Sequence, residues 1–247
     1  MAENIPELVQ STKQRLEIIE TNVAKAAEKS NRRLSDILIL AVSKRQPVSV
    51  IEAGYACGLR SFGENYVEEA QEKINQLADL TDIRWEMIGH VQSRKSALVA
   101  ANFSRMHSLD SLKLARKLDS ARSSLSSPQV MEVMLELNVS GEDSKEGLPA
   151  CDRKEWEELL PFINEILSLK YLRLTGLMTM PPLVDDGEEN RIYFERLRQV
   201  RDFFNQQIPS LGLTELSMGT SCDYAVAIEE GATIIRIGTA LLGPRIN

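Results

Sequence analysis

Eight short apolar runs alternate with helical patterns along this chain, and this alternation restricts its fold more than any other feature. Strict alternation of strands and helices implies that the strands are parallel. Eight such units in 247 residues predict an α/β fold, a single TIM-type (β/α)8 barrel, because a doubly wound sheet would have fewer strands and a glycine-rich first turn. The predicted strands end near Lys44, Asn65, His90, Asp110, Val139, Met180, Met218 and Thr239.

An amphipathic segment from about residue 5 to residue 30 precedes the first strand, because its apolar residues recur at helical spacing. We predict one domain over residues 1–247, with this extra N-terminal helix in 1–32 and the barrel in 33–247. The chain stops at Asn247, soon after the eighth strand, so no C-terminal β-domain is expected. Helices between the strands are predicted at 48–57, 66–78, 94–101, 111–125, 152–167, 188–207 and 223–230.

The composition excludes several classes of function. The net charge is -7, from 29 basic and 36 acidic residues. The sequence has no run of basic residues that could bind along a nucleic-acid backbone. Two histidines and three scattered cysteines argue against a metal centre or a disulfide framework. No signal peptide is readable, and no apolar run approaches the ~20 residues of a membrane span. We therefore expect a cytoplasmic protein that binds neither nucleic acid nor membrane.

Lys44 closes the first strongly apolar run, residues 37–44, so its amine lies where a buried strand should leave the core. A lysine in water has a pKa of ~10.4, and a nucleophilic amine near neutral pH needs a pKa ~3 units lower. Desolvation under a barrel mouth can lower the pKa in this way. The position therefore suits a covalent catalyst or a cofactor anchor, with a solvated lysine that caps a strand as the alternative.

Two turns near the end of the chain predict a phosphate site. In TIM barrels a phosphate is often held after the seventh and eighth strands. The turn at 217–223 is small and rich in hydroxyls and runs into a helix, while the turn at 236–245 has glycines and the hydroxyl of Thr239. The first turn alone fits an ordinary helix N-cap equally well. The two turns together favour a bound anion.

Arg236 interrupts an apolar strand at 233–237, and alternation places it on the face opposite Ile235 and Ile237. A buried guanidinium is costly unless it has a specific polar partner. A structural ion pair across the barrel is one interpretation. The other is an arginine that faces an aromatic nitrogen and keeps it unprotonated, because the guanidinium does not give up its own proton.

Polar residues at other strand ends could line the same pocket. Asn65, His90 and Asn138 all follow apolar runs, although asparagine and glycine also begin helices. His107 is more typical of a structural histidine whose ring nitrogens have hydrogen-bond partners. Met178 and Met180 are expected to pack the pocket wall.

Ordered sequence blocks along nearly the whole chain resemble the pyridoxal phosphate homeostasis proteins, also called the proline synthase co-transcribed homologs. This family is similar to the barrel domain of alanine racemase standing alone, which is a fold type III pyridoxal phosphate barrel. The blocks include AVSK at 41–44, FGENYV at 62–67, IGHVQ at 88–92, HSLD at 107–110, LTGLMTM at 174–180, LSMG at 216–219, VAI at 226–228 and RIGT at 236–239.

The resemblance implies a non-catalytic protein that binds pyridoxal 5'-phosphate and takes part in the homeostasis of this cofactor and, indirectly, of amino acids. It implies a Schiff base at Lys44, a phosphate held by the two turns, and Arg236 facing the pyridine nitrogen. Apo-enzymes that receive the cofactor are the implied partners, and we expect a monomer or weak homodimer. The implied cofactor-binding residues are Lys44, Asn65, Met178, Ser217, Met218, Gly219, Ser221, Arg236, Gly238 and Thr239.

The chain departs from the pattern of this family at three positions. The family usually has histidine in place of Glu86, asparagine in place of Arg94 and methionine in place of Thr220. Glu86 and Arg94 could change the charge at the rim, and Thr220 adds a hydroxyl beside the phosphate turn. None of the three removes a group that the cofactor requires.

Two classes of enzyme remain as alternatives. A pyridoxal phosphate-dependent racemase or decarboxylase is the first, and racemisation needs a second base opposite the lysine. In alanine racemase an added β-domain supplies this base, and here Asp110, Tyr66 or Cys222 would have to replace it. A phosphate-sugar barrel enzyme is the second, with a Schiff base between Lys44 and its substrate. Arginine at the pyridine nitrogen weakens the electron sink of the cofactor, which favours a binding protein.

Overall fold

The computed structural model describes residues 4–245, and within them eight parallel strands close into a barrel. The barrel strands are β1 (Leu38–Val42), β2 (Ser61–Glu64), β3 (Arg84–Met87), β4 (Arg105–Leu109), β5 (Met131–Asn138), β7 (Leu172–Met178), β8 (Glu215–Ser217) and β9 (Ile234–Ile237). Pairing between β1 and β9 closes the ring, and the short strand β6 (Leu148–Pro149) pairs with the end of β5. The predicted (β/α)8 barrel is confirmed.

Helices surround the barrel, and none of those within residues 4–245 is both long and apolar enough to cross a membrane. Short 3₁₀ helices lie at Leu34–Asp36, Ser93–Lys95 and Gly187–Asn190. The α-helices are α1 (Ile5–Lys29), α2 (Val48–Ala56), α3 (Val67–Gln76), α4 (Ser96–Asn102), α5 (Leu112–Ser123), α6 (Arg153–Glu158), α7 (Leu160–Leu167), α8 (Arg191–Gln207), α9 (Tyr224–Glu229) and α10 (Thr239–Leu242).

The leading helix α1 joins the barrel by its apolar stripe. Leu16, Ile19 and Val23 are buried, whereas Ile18 on the other side of the helix is 63% exposed. The helix packs against α2, α9 and α10, which come from both ends of the chain. Just after α1, the guanidinium of Arg32 donates to the carbonyl oxygens of Ala232, at 2.8 Å, and Ile228. The first and last parts of the described chain are thereby fixed to each other.

Side chains that point into the barrel place the site residues at its upper end. An apolar cluster of Leu40, Met134, Met178 and Ile234 packs inside the barrel. Because side chains alternate along a strand, the residue two positions further on points the same way. Glu136 therefore follows Met134, and Arg236 follows Ile234, towards the carboxyl ends of the strands.

The elements differ from the predicted ones in a few places. The helix predicted at 152–167 is two helices, α6 and α7, because Pro161 near the start of α7 has no amide with which to continue the first helix. Strand β6 and helix α10 were not predicted, since two and four residues carry too little periodicity. The predicted domain also includes residues 1–3 and 246–247, which lie outside the described residues.

Candidate functional site

A cavity of about 550 Å³ opens at the carboxyl ends of the barrel strands. Its walls come from the strand ends and the loops that follow them, as the position of active sites in TIM barrels predicts. The lining includes an amine, a guanidinium, two hydroxyls and a carboxylate. These belong to Lys44, Arg236, Ser221, Thr239 and Glu136, with Asn65, Gly238 and Arg245 beside them.

Lys44 lies just beyond β1 and is half-buried in this cavity. Within residues 4–245 its amine has no hydrogen bond and no ion pair. Burial lowers the pKa of Lys44, and the nearby positive charges of Arg245 and Arg45 lower it further. The negative charge of Glu64 opposes these effects. The amine is thus shifted towards the neutral, nucleophilic form that a covalent anchor requires.

A buried ion pair supports the backbone next to Lys44. The ammonium of Lys73, on α3, lies 2.8 Å from the carboxylate of Glu64 at the end of β2, and both side chains are buried. Lys73 also donates to the carbonyl oxygen of Ser43 at 2.8 Å, and the Ser43 hydroxyl donates to Glu64 at 2.7 Å. Burial raises the pKa of Glu64, and the ammonium of Lys73 opposes this rise. The network fixes the end of β1 and thereby the start of the Lys44 side chain.

Arg236 points into the barrel beneath the cavity, and its partners are neutral. Its Nη1 donates to the carbonyl oxygen and the hydroxyl of Ser217, at 2.6 and 2.7 Å. Its Nη2 donates to the carbonyl oxygen of Thr179 at 2.8 Å and contacts the sulfur of Met180 at 2.9 Å. Within residues 4–245 its Nε has no hydrogen-bond partner. Burial lowers the pKa of Arg236 to about 10, so the group stays cationic at neutral pH.

A chain of hydrogen bonds runs from Arg236 through the barrel interior. The Ser217 hydroxyl lies 2.8 Å from Nδ1 of His107, and Nε2 of His107 lies 2.7 Å from Glu86. Burial lowers the pKa of His107. Burial alone would raise the pKa of Glu86, but the hydrogen bond with His107 and the charge of Arg105 hold it below its usual value.

The lowered pKa values of His107 and Glu86 indicate which atom carries each proton along these hydrogen bonds. Glu86 is ionised and accepts the Nε2 proton of a neutral His107, so Nδ1 accepts the hydroxyl proton of Ser217. The oxygen of Ser217 then keeps a lone pair for Arg236, which can only donate. His107 is fully buried in this chain. The departure at Glu86 therefore lies inside the barrel, where it fixes the histidine tautomer.

Two turns beside the cavity contain unpaired backbone donors. Within residues 4–245 the amides of Ser221, Cys222, Thr239 and Ala240 donate no hydrogen bond. Thr220 differs, because its amide and its hydroxyl both donate to Asp223, at 2.6 and 3.1 Å. Unpaired amides with nearby hydroxyls form a suitable cradle for an anion.

Gly219 allows the first turn its shape. Its φ is +91°, and a Cβ at this position would lie 2.6 Å from the Cβ of Ala227. Its carbonyl oxygen accepts the amide of Arg236 at 3.0 Å. The turn therefore needs glycine for its backbone conformation and for its contact with α9.

The structure brings together most of the residues that the sequence singled out. Six of the ten implied cofactor-binding residues line the cavity: Lys44, Asn65, Ser221, Arg236, Gly238 and Thr239. His90, Met180 and Thr220, which the sequence also singled out, line it as well. Ser217 lies below the cavity with its hydroxyl on Arg236. Met178 packs in the apolar cluster inside the barrel, and Met218 is buried in the main hydrophobic core.

Sequence reasoning missed four charged residues of the cavity: Glu136, Lys145, Glu146 and Arg245. Glu136 stands between Leu135 and Leu137 in a strand, which is the same signal that identified Arg236 between two isoleucines. Arg245 follows the last helix and has no such pattern. Conversely, Asp110, Tyr66 and Cys222, considered as possible second bases, do not line the cavity within residues 4–245.

Comparisons with known proteins agree with this architecture. The sequence matches the family described as alanine racemase, N-terminal domain, over residues 15–245. Alanine racemase from Streptomyces coelicolor shares the fold, with a TM-score of 0.67 at 17% identity over 92% of this chain and 58% of that one. The fold and the site thus define a barrel of the alanine racemase N-terminal type, with a lysine just beyond its first strand.

More similar relatives identify the family. The pyridoxal phosphate homeostasis protein of Pseudomonas aeruginosa is 40% identical over 92% of this chain and 93% of its own length. That of Aquifex aeolicus is 38% identical over 94% and 97%. The structure of PipY of Synechococcus elongatus with pyridoxal phosphate bound has a TM-score of 0.80 at 33% identity, over 94% of this chain and all of PipY. The chain belongs to the family of pyridoxal phosphate homeostasis proteins.

Proposed function

We propose that this protein binds pyridoxal 5'-phosphate through Lys44 and holds it without catalysing a reaction of its own, as part of cofactor homeostasis. The observation that carries the proposal is the amine of Lys44, which lines a cavity with several polar side chains and has no partner within residues 4–245. The name of the relatives and the pyridoxal phosphate bound to PipY support it.

The groups around the cavity fit this cofactor. The Lys44 amine would form the Schiff base with its aldehyde, and the free amides and hydroxyls near Ser221 and Thr239 would hold its phosphate. Gly238 would allow close approach of the backbone, since an added Cβ there meets protein atoms only at 3.7 Å or more. Asn65 would contact the ring. Four further residues would act without touching the cofactor. Ser217 would hold Arg236, Gly219 would shape the turn, and Met178 and Met218 would pack behind the pocket wall.

Arg236 is the reason to expect binding without catalysis. Bound pyridoxal phosphate supplies an electron sink for reactions at the α-carbon of amino acids, and a protonated pyridine nitrogen strengthens that sink. Arg236 would donate a hydrogen bond from its unpaired Nε–H to this nitrogen. Because the guanidinium keeps its own proton, the nitrogen would stay unprotonated. The hydroxyl of Ser217, held by His107, stabilises the guanidinium in this orientation.

Delivery to other proteins completes the proposed role. A Schiff base is reversible, so Lys44 would hold the cofactor without destroying its aldehyde. We infer that apo-enzymes which require pyridoxal phosphate receive it from this protein. Mixing the loaded protein with such an apo-enzyme should transfer the visible absorption band and restore the enzyme's activity faster than an equal concentration of free cofactor restores it. Equal rates would argue against delivery.

An absorption titration tests the binding proposal. Pyridoxal phosphate should produce a visible Schiff-base band with wild-type protein, and pyridoxal, which lacks the phosphate, should bind at least about tenfold more weakly. Thr239→Val should weaken binding of the phosphate form only. Thr21→Val, on an exposed part of α1, is the matched control. A protein that stays colourless at every cofactor concentration would refute the proposal.

Exchange of α-protons separates the binding protein from a racemase. Several L-amino acids incubated in deuterated water with the loaded protein should exchange no faster than with free pyridoxal phosphate. Exchange that is faster, and that disappears in Lys44→Ala, would show an enzyme instead.

A further inference from the structure

Glu136 faces Lys44 across the barrel. In the strand order of the closed sheet β5 lies four positions from β1 in either direction, so the two strands are diametrically opposite. Glu136 points inward from β5 and lines the cavity, yet the residue is only 7% exposed. Within residues 4–245 its carboxylate has no hydrogen bond and no ion pair. A carboxylate buried to this degree normally has a partner, because its desolvation is costly.

The loop after β5 holds Glu136 in place. Gly147 has a φ of +101°, and a Cβ there would lie 2.8 Å from the carbonyl oxygen of Glu136 and 3.0 Å from its Cγ. The backbone of the loop therefore covers the stem of the glutamate. The carboxylate is left facing the cavity, which this loop also lines through Ser144, Lys145 and Glu146.

Charges on four neighbouring segments act on this carboxylate. Burial raises the pKa of Glu136 to about 7, and the charge of Arg236 on β9 opposes the rise. Asp110 after β4 and Glu146 in the covering loop raise the pKa, and His90 after β3 lowers it. Asp110 is itself 3.0 Å from Nδ1 of His90, and both terminal nitrogens of Arg236 donate to neutral acceptors. Glu136 is therefore left without a cation of its own.

We propose that Glu136 binds the ammonium group of a primary amine that enters the cavity, and accepts one proton from it. The reaction is balanced, since R–NH3⁺ and the Glu136 carboxylate become R–NH2 and the Glu136 carboxylic acid. A primary ammonium fits because it supplies the positive charge and the hydrogen-bond donors that the carboxylate lacks.

This inference rests on the proposed function, which it makes more specific. A cofactor held through a Schiff base leaves by exchange with water or with another amine, and only an unprotonated amine can attack. A base whose pKa is near the working pH is best suited to remove that proton. Glu136 would thus make the protein release its cofactor to amines, the side chain of a lysine or a free amino acid, rather than to water.

The apo-protein provides a test that needs no cofactor. Side-chain ¹³C-glutamate NMR should show Glu136 titrating near neutral pH, and ethylammonium chloride should lower that pKa by about one unit or more. Tetramethylammonium chloride has the same charge but no N–H donor, so it should have little effect at the same ionic strength. A Glu136 signal that responds equally to both salts would overturn the proposal.

Two variants identify the residue responsible. Glu136→Gln should weaken ethylammonium binding at least about tenfold. Glu142→Gln, an exposed glutamate in the same loop that does not line the cavity, should bind as the wild type does. Equal binding by wild type and Glu136→Gln would contradict the proposal, and circular dichroism of each variant shows whether it is folded.

Release from the loaded protein is the second test. Ethylamine near neutral pH should discharge the absorption band of wild type at least about tenfold faster than that of Glu136→Gln, whereas release into buffer alone should differ little. An unchanged release rate with ethylamine would overturn the role of Glu136. If wild type never acquires the band, the proposed function itself fails, while the NMR titration still decides whether Glu136 binds ammonium.

Discussion

Lys73 and Glu64 form the buried ion pair on which the end of β1 depends. Lys73→Met should leave the Glu64 carboxylate buried without its cation and lower the free energy of unfolding by about 3–5 kcal/mol. Urea denaturation at neutral pH measures this change. Lys29→Met is the control, because Lys29 is 69% exposed and its pair with Glu229 should contribute ~0–1 kcal/mol.

A second substitution should restore part of the stability that Lys73→Met loses. Adding Glu64→Gln to Lys73→Met removes the unpaired charge and should restore part of the lost stability. A Lys73→Met protein as stable as wild type would show that the ion pair contributes nothing to the fold.

Glu136 predicts a pH dependence of stability. Its pKa is raised from 4.5 to about 7 by folding, so between these values the folded state binds more protons and stability falls as the pH rises. Glu136→Gln removes this penalty and should stabilise the apo-protein by about 1–3 kcal/mol near pH 8, with no gain near pH 4. Thermal unfolding at both pH values measures the difference. A gain that is independent of pH would contradict the raised pKa.

At the scale of elements, the turn after β8 shapes the predicted anion site. Gly219→Ala should destabilise the protein and weaken binding of pyridoxal phosphate, because it forces a left-handed backbone and a clash with Ala227. Gly58→Ala is a matched control, since Gly58 has a φ of +96° with nothing within 4 Å of an added Cβ. The control should cost about 1 kcal/mol of stability and leave binding intact. Equal loss of binding in both variants would show that binding falls because the protein is less stable, and not because the turn has changed shape.

The order and type of the main elements could be read from the sequence because short segments with apolar residues recur between helical patterns. The strand ends at 42, 64 and 109 lie within two residues of the predicted positions. The break between α6 and α7 and the short β6 and α10 depend on single residues and tertiary contacts, which periodicity does not report.

Site residues could be predicted where a reactive or charged side chain stands at a strand end or interrupts an apolar strand. Lys44 and Thr239 stand at strand ends, and Arg236 interrupts an apolar strand. That Ser217 binds Arg236 while Met218 turns into the main core could not be predicted, since it depends on which face of β8 looks inward. Glu136 carried the same signal as Arg236, but its importance appears only when β5 is seen opposite β1.

At the scale of the whole molecule, α1 and the barrel are expected to unfold together as one domain. Ile19→Ala on the buried side of α1 should destabilise the protein by about 2–5 kcal/mol, whereas Ile18→Ala on its exposed side should change stability by less than about 0.5 kcal/mol. Tryptophan fluorescence, from Trp85 on β3 and Trp156 on α6, and far-ultraviolet circular dichroism should report the same midpoint for Ile19→Ala. Two separate transitions would divide the chain into independent units.

The whole arrangement leads to one lysine, and its covalent chemistry can be measured directly. The loaded protein is reduced with borohydride, digested, and the modified peptide is located by mass spectrometry. We expect a single phosphopyridoxyl group on the peptide that contains Lys44, and none in Lys44→Ala. Lys145 also lines the cavity and serves as an internal comparison. Modification of Lys145 in place of Lys44, or no modification of the wild-type protein, would contradict the account.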